Sequence, residues 1–119
     1  MFAVWEPILA ADWRKPDDRV MARLPDPRVS QFLDEQHLVA RQLAGDARSP
    51  QPEAKCCRRD GVLWDLVAVY PPGVLWTDRI PTAVLFDGPV VRQQAKLAEA
   101  IRALGRQPST AVESRQTTQ

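Results

Sequence analysis

The sequence predicts a single α/β domain, a central mixed sheet flanked by helices, and three stretches carry that expectation. Val62 to Tyr70 is an almost continuous apolar run of strand length, interrupted only by Asp65. Ile80 to Val91 reads as strand, tight turn and returning strand, with Asp87-Gly88 as the turn dipeptide and Val90-Val91 as a β-branched pair. Leu97, Ala100, Ile101 and Leu104 recur at the spacing of one helix face, with Lys96, Glu99 and Arg102 between them.

Taken in order, Phe2 to Ala11 is an apolar opening read as a strand, with Pro7 suited to an edge or a bulge. Pro16, Asp17 and Asp18 have the chemistry of a helix first turn, and Val20, Met21 and Leu24 follow at helical spacing. Pro25-Asp26-Pro27 ends that helix. From Arg28 to Ala44 two readings compete: one helix throughout, or a strand over Arg28 to Asp34 with a helix from Glu35, closed in either case by Gly45. Asp46 to Asp60, rich in proline and charge, reads as an exposed connector. Val62 to Tyr70 is then a strand covered on both faces and stopped by Pro71-Pro72-Gly73. Strands over Thr82 to Phe86 and Pro89 to Val91 follow, and then the helix ending at Gly105. The domain is expected over residues 1–105, with 106–119 a polar tail that carries no buried pattern.

Composition excludes several functional classes. A chain of 119 residues can bury roughly two-thirds of its unfolded surface, and 45% hydrophobic with 26% charged residues is ordinary for a folded domain. A net charge of +1 gives no field that would hold nucleic acid or anionic lipid. Glu6 and Pro7 cut the N-terminal apolar run too short for a signal peptide or membrane span, so a cytoplasmic setting is expected. No glycine-rich phosphate loop, nucleophile elbow or paired metal motif occurs, which argues against an enzyme and against a cofactor.

The Ile80-Pro81-Thr82 segment, its hairpin and the final helix together resemble the C-terminal half of a thioredoxin-like domain. The resemblance implies a cis Pro81 and, for Arg28 to Ala44, a strand followed by a helix. It also implies a redox Cys-X-X-Cys motif, which this chain lacks. Two alignments stay open. In one, Ala11-Asp12-Trp13-Arg14-Lys15-Pro16-Asp17 replaces the redox motif, with Arg14 and Asp17 standing for its cysteines; in the other, Phe2 to Ala11 is the family's second strand, and the first strand and redox helix are missing. The second alignment fits downstream with fewer gaps. A missing central strand would leave backbone groups to be covered, so a homo-oligomer or a protein partner is expected.

Candidate chemistry is sparse. Cys56 and Cys57 are adjacent and cannot staple distant segments; they read as reduced thiols flanked by Lys55, Arg58 and Arg59, able to serve thiol chemistry or to ligate a soft metal. His37, the sole histidine, is a third ligand only if the fold brings it near, and otherwise reads as structural. Asp65 inside an apolar strand needs a donor such as Arg79 or Arg92, or a polar pocket. Trp64, Asp65, Tyr70, Trp76 and Pro81 are the candidate lining of a small-ligand pocket. The leading expectation is a non-catalytic, self-associating binding protein; the alternative is a thiol-dependent redox or soft-metal-handling protein using Cys56 and Cys57.

Overall fold

A computed structural model describes residues 1–8, 16–47, 51, 52, 54 and 56–106. They form a small mixed α/β arrangement of short two-stranded sheets and three α-helices. Ala11, Asp12, Trp13, Arg14 and Lys15 of the redox-like alignment lie outside the described residues, as does the tail from residue 107.

Strand β1 (Phe2–Trp5) pairs in parallel with β2 (Ser30–Leu33), in the register Phe2 with Ser30 through Trp5 with Leu33. The ladder continues at both ends, Ser30 N–H to the Met1 carbonyl at 2.9 Å and Asp34 N–H to that of Trp5 at 2.6 Å. Parallel neighbours need a long crossover, and here it contains helix α1 (Asp18–Met21). Asp17 caps α1 by accepting the Val20 N–H at 3.0 Å, and Asp18 sits in the first turn, as the proline-aspartate signal predicts. The helix ends at Met21 and turns carry the chain on to Leu24.

Helix α2 (Leu38–Asp46) starts on a buried carboxylate: Asp34 accepts the N–H groups of Leu38 at 2.7 Å and Ala40 at 3.1 Å, donors that a helix leaves unpaired at its N-terminus. The strand-then-helix reading of Arg28 to Ala44 therefore describes the chain, shifted by a few residues. Gly45 lies within α2 and does not close it.

The long strand expected over Val62 to Tyr70 is broken in two. Asp60 and Gly61 both have positive φ, at 52° and 73°, the requirement of a tight hairpin turn. They join β3 (Arg58–Arg59) to β4 (Val62–Leu63) in antiparallel pairing, which Trp64 N–H prolongs by donating to the Cys57 carbonyl at 2.9 Å. Asp65, at φ 51°, then turns the chain out of the extended region, and β5 (Val67–Val69) begins on a different partner.

That partner is β6 (Leu85–Asp87), antiparallel, with Ala68 opposite Phe86. The hairpin expected between Thr82–Phe86 and Pro89–Val91 does not form. Asp87-Gly88 leads into a 3₁₀ turn over Val90–Arg92, where Arg92 N–H bonds to the Pro89 carbonyl and Gln93 N–H to that of Val90, both at 3.0 Å. Backbone groups satisfied locally are not offered to a neighbouring strand. The cis peptide bond is Gly88-Pro89, not Ile80-Pro81.

Residues 80–83 do not pair as a strand because side chains take up their backbone groups. Asp46 accepts the Ile80 N–H at 2.9 Å, while the Gln51 amide donates to the carbonyl of Pro81 at 2.9 Å and accepts the Ala83 N–H at 2.8 Å. Gln51, within the stretch read as an exposed connector, is thus a half-buried clamp.

The core is small: Ala44, Leu63, Ala83 and Phe86, flanked by Leu43, Ala47, Ala54, Leu66, Ala68 and Tyr70. Phe86 and Leu63 are its largest fully enclosed side chains among the described residues. Helix α3 (Gln94–Gly105) packs on β5 and β6, with Leu97, Ala100 and Leu104 half-buried. Ile101, counted on the same face by spacing alone, is exposed.

Candidate functional site

Strand alternation sends residues of β1 and β2 to two faces. One face carries Trp5, whose indole N–H donates to the Gln31 side-chain oxygen at 3.0 Å, and Gln31 in turn donates to the Met21 carbonyl at 2.9 Å, binding the sheet to α1. The other carries Phe2, Val4 and Phe32. Phe2 and Phe32 are 74% and 54% exposed, with ring centroids 5.9 Å apart and tilted by 45°. Val4, between them on the same face, is 42% exposed, whereas Leu33 alternates onto the Trp5 face. Among the described residues, β1 and β2 pair only with each other, so the outer edge of each strand is open. Parallel sheets in folded proteins are normally covered on both faces. Contiguous exposed apolar surface of this kind marks a place of contact.

At the carboxyl ends of the same two strands lies a polar pair. Glu6, directly after β1, meets His37 Nδ1 through Oε2 at 3.1 Å, and both side chains are largely enclosed. Burial raises Glu6 above its usual 4.5; the His37 hydrogen bond opposes this, and the nearby Asp34 charge adds to it. His37 itself sits in left-handed conformation, φ 57°, at the entry to α2. It is a strap between β1 and α2, far in role from a third ligand for the cysteines. Among the described residues, no three His, Cys, Asp or Glu side chains converge as a metal site.

Cys56 and Cys57, expected as reduced thiols, are joined in a vicinal disulfide. In this state neither sulfur is a thiolate, the form that ligates a metal. Both residues are half-buried at the entrance to the β3–β4 hairpin, and Cys57 is at φ 78°. Gly88 lies against them: a Cβ there would meet Cys56 Sγ at 3.4 Å and collide with the Asp65 carbonyl oxygen.

The expected pocket residues serve separate parts of the fold. Trp64 prolongs the hairpin. Asp65 is exposed and, instead of pairing with Arg79 or Arg92, accepts the Val90 N–H at 3.0 Å and so starts the 3₁₀ turn. Tyr70 packs against the core, where burial and the Asp46 charge raise its phenol above the usual 10.0. Trp76 is half exposed in the loop after β5, and Pro81 is held in the Gln51 clamp. A cleft of about 360 Å³ does exist between α3 and β6, lined by Val84, Leu85, Lys96, Glu99, Ala100, Ala103 and Leu104, with none of the five among them.

The apolar sheet face and the Glu6–His37 strap were both missed in the sequence. The alternation of Phe2 and Val4 with Ala3 and Trp5 was the available signal for the first; the second joins residues 31 apart and left none. Among the described residues, no helix is long and apolar enough to cross a membrane. Comparison with protein-family models, with curated proteins and with solved structures finds no match.

Proposed function

We propose that this chain is a non-catalytic interaction protein that associates with a second copy of itself through the β1–β2 sheet. The observation that carries the reading is the Phe2–Phe32 ring pair, exposed on a parallel sheet that has two strands among the described residues. A two-stranded sheet is marginal by itself and gains stability when its apolar face is covered. A net charge of +1 gives two copies little reason to repel each other.

Within this proposal the chain is a thioredoxin-like domain without the Cys-X-X-Cys motif. Support comes from the element order: β1, α1 and β2 with parallel pairing, then α2 and, after the inserted β3–β4 hairpin, the antiparallel β5–β6 pair and α3. The separation into three sheets and the position of the cis bond depart from the family pattern.

Sedimentation velocity of the full chain over a range of concentrations tests the association. A dimer that dissociates on Phe32→Glu, with unchanged circular dichroism, is the expected result. A chain that is monomeric at every concentration, or a dimer indifferent to Phe32→Glu, overturns the reading.

A further inference from the structure

We propose that Cys56 and Cys57 form a redox-gated site for uncharged trivalent arsenic compounds, closed as the disulfide and opened by reduction. A disulfide between neighbours links nothing that the peptide bond does not already link. The chain-entropy stabilisation, which grows with the loop closed, is at its least here. Its consequence is chemical: it holds two sulfurs at one half-exposed point of the surface.

The backbone beneath that point is held independently of the sulfur bond. Arg58 pairs with Leu63 and Arg59 with Val62 across the Asp60-Gly61 turn, and the Cys57 carbonyl accepts the Trp64 N–H at 2.9 Å. On the other side Gly88 packs at Cys56 Sγ, its own carbonyl held by the Gln93 amide at 3.1 Å. Two thiols released by reduction therefore stay on adjacent, anchored residues, and little further ordering is needed to bring both to one atom.

The surroundings select the occupant. A structural zinc site takes four ligands, whereas no third His, Cys, Asp or Glu joins a cluster here among the described residues. Thiolates favour soft partners. Two sulfurs supply both bonds that an organic arsenic(III) species needs but only half of those that a structural zinc takes, so the pair suits the neutral arsenical.

Opening the site needs a thiol reductant. Its thiolate attacks one sulfur, the S–S bond breaks, and the other cysteine leaves as a thiolate and takes a proton. A second thiol resolves the mixed disulfide, so two reductant thiols become one disulfide while the protein gains two electrons and two protons. An organic arsenic(III) oxide then condenses with the two thiols. Two As–S bonds form, the arsenic–oxygen bond is lost, and the oxygen departs as water with both thiol protons; arsenic remains trivalent.

The full chain, reduced and then freed of reductant, is titrated with phenylarsine oxide under native conditions and followed by intact mass, with zinc chloride in a parallel titration. The expected result is one arsenical per reduced chain, protection of both thiols from N-ethylmaleimide, weaker uptake of zinc, and loss of arsenical uptake after treatment with oxidised glutathione. Cys57→Ser should abolish bidentate capture. Reduced chain that alkylates at both thiols but leaves phenylarsine oxide unbound overturns the site, as does equal uptake by Cys57→Ser. Thiols that still alkylate after oxidised glutathione overturn the gate, and zinc uptake as tight as that of the arsenical overturns the selectivity.

Discussion

Asp46, in the last turn of α2, accepts the backbone N–H of Ile80 at 2.9 Å across 34 residues of sequence, and Arg79 Nε lies 3.6 Å from its other oxygen. The Ile80 hydrogen bond, then that from Gln42, hold this carboxyl below its usual 3.8. A carboxylate whose folded pKa is depressed contributes stability that is present above the unfolded value and lost as pH falls through the folded one. Asp46→Asn should therefore lower the urea midpoint at pH 7, and the gap from the parent chain should close as pH is taken below 3.8. A gap that persists unchanged into acid would count against the charge as its source.

Glu6 has the opposite sign. Its folded pKa lies above 4.5, so the folded chain holds this proton more firmly than the unfolded one, and its contribution to stability falls as pH rises from 4.5 through the folded value. Glu6→Gln keeps a neutral polar group in place and should flatten that part of the pH–stability curve. Equilibrium unfolding by urea from pH 4 to pH 8 reads this directly; parallel curves for the two proteins would show that the buried carboxyl does not titrate as described.

Asp34 replaces two bonds that α2 cannot make for itself. Asp34→Ala should cost about 0.5–2 kcal/mol, the ordinary range for a lost helix cap. Loss of protection at the Leu38 and Ala40 amides in hydrogen exchange should accompany it.

Two glycines should respond in opposite directions to the same substitution. Gly88→Ala puts a methyl group into the Asp65 carbonyl, against backbone that cannot swing aside, and should cost about 1–3 kcal/mol. Gly45→Ala meets nothing within 4 Å and sits inside α2, so it should stabilise by about 0.5–1 kcal/mol. Thermal melts of the two single variants against the parent chain are sufficient to check both.

The Asp-Gly dipeptides show how far local chemistry could be read. The chain has two, and Asp87-Gly88, between apolar runs, carries the hairpin signal. The turn forms at Asp60-Gly61 because Arg58-Arg59 and Val62-Leu63 can pair directly around it. Asp87-Gly88 is instead committed elsewhere: Asp87 pairs with Val67 in the sheet, and Gly88 packs against Asp65 and Cys56. The residues expected to line a pocket are likewise drawn to separate partners: Trp64 to the Cys57 carbonyl, Asp65 to the Val90 N–H and Tyr70 to the core.

By itself, the sequence determined the elements whose signals are local: the cap and first turn of α1 at Asp17-Asp18, and α3; between Arg28 and Ala44 periodicity left one helix or a strand and a helix open, and the structure decided for β2 followed by α2. The α1 cap and α3 depend on groups within a turn or two of each other, where spacing and residue chemistry suffice. Only the tertiary structure decided that Val62 to Tyr70 would break at Asp65, that β6 would pair with β5, and that Gln51 and Asp46 would bind residues 80–83 in place of a strand. Such contacts join residues from 16 apart, at Val69 and Leu85, to 34 apart, at Asp46 and Ile80. Their formation rests on which backbone groups remain unpaired once the chain has folded back, and that leaves no periodic trace along the chain.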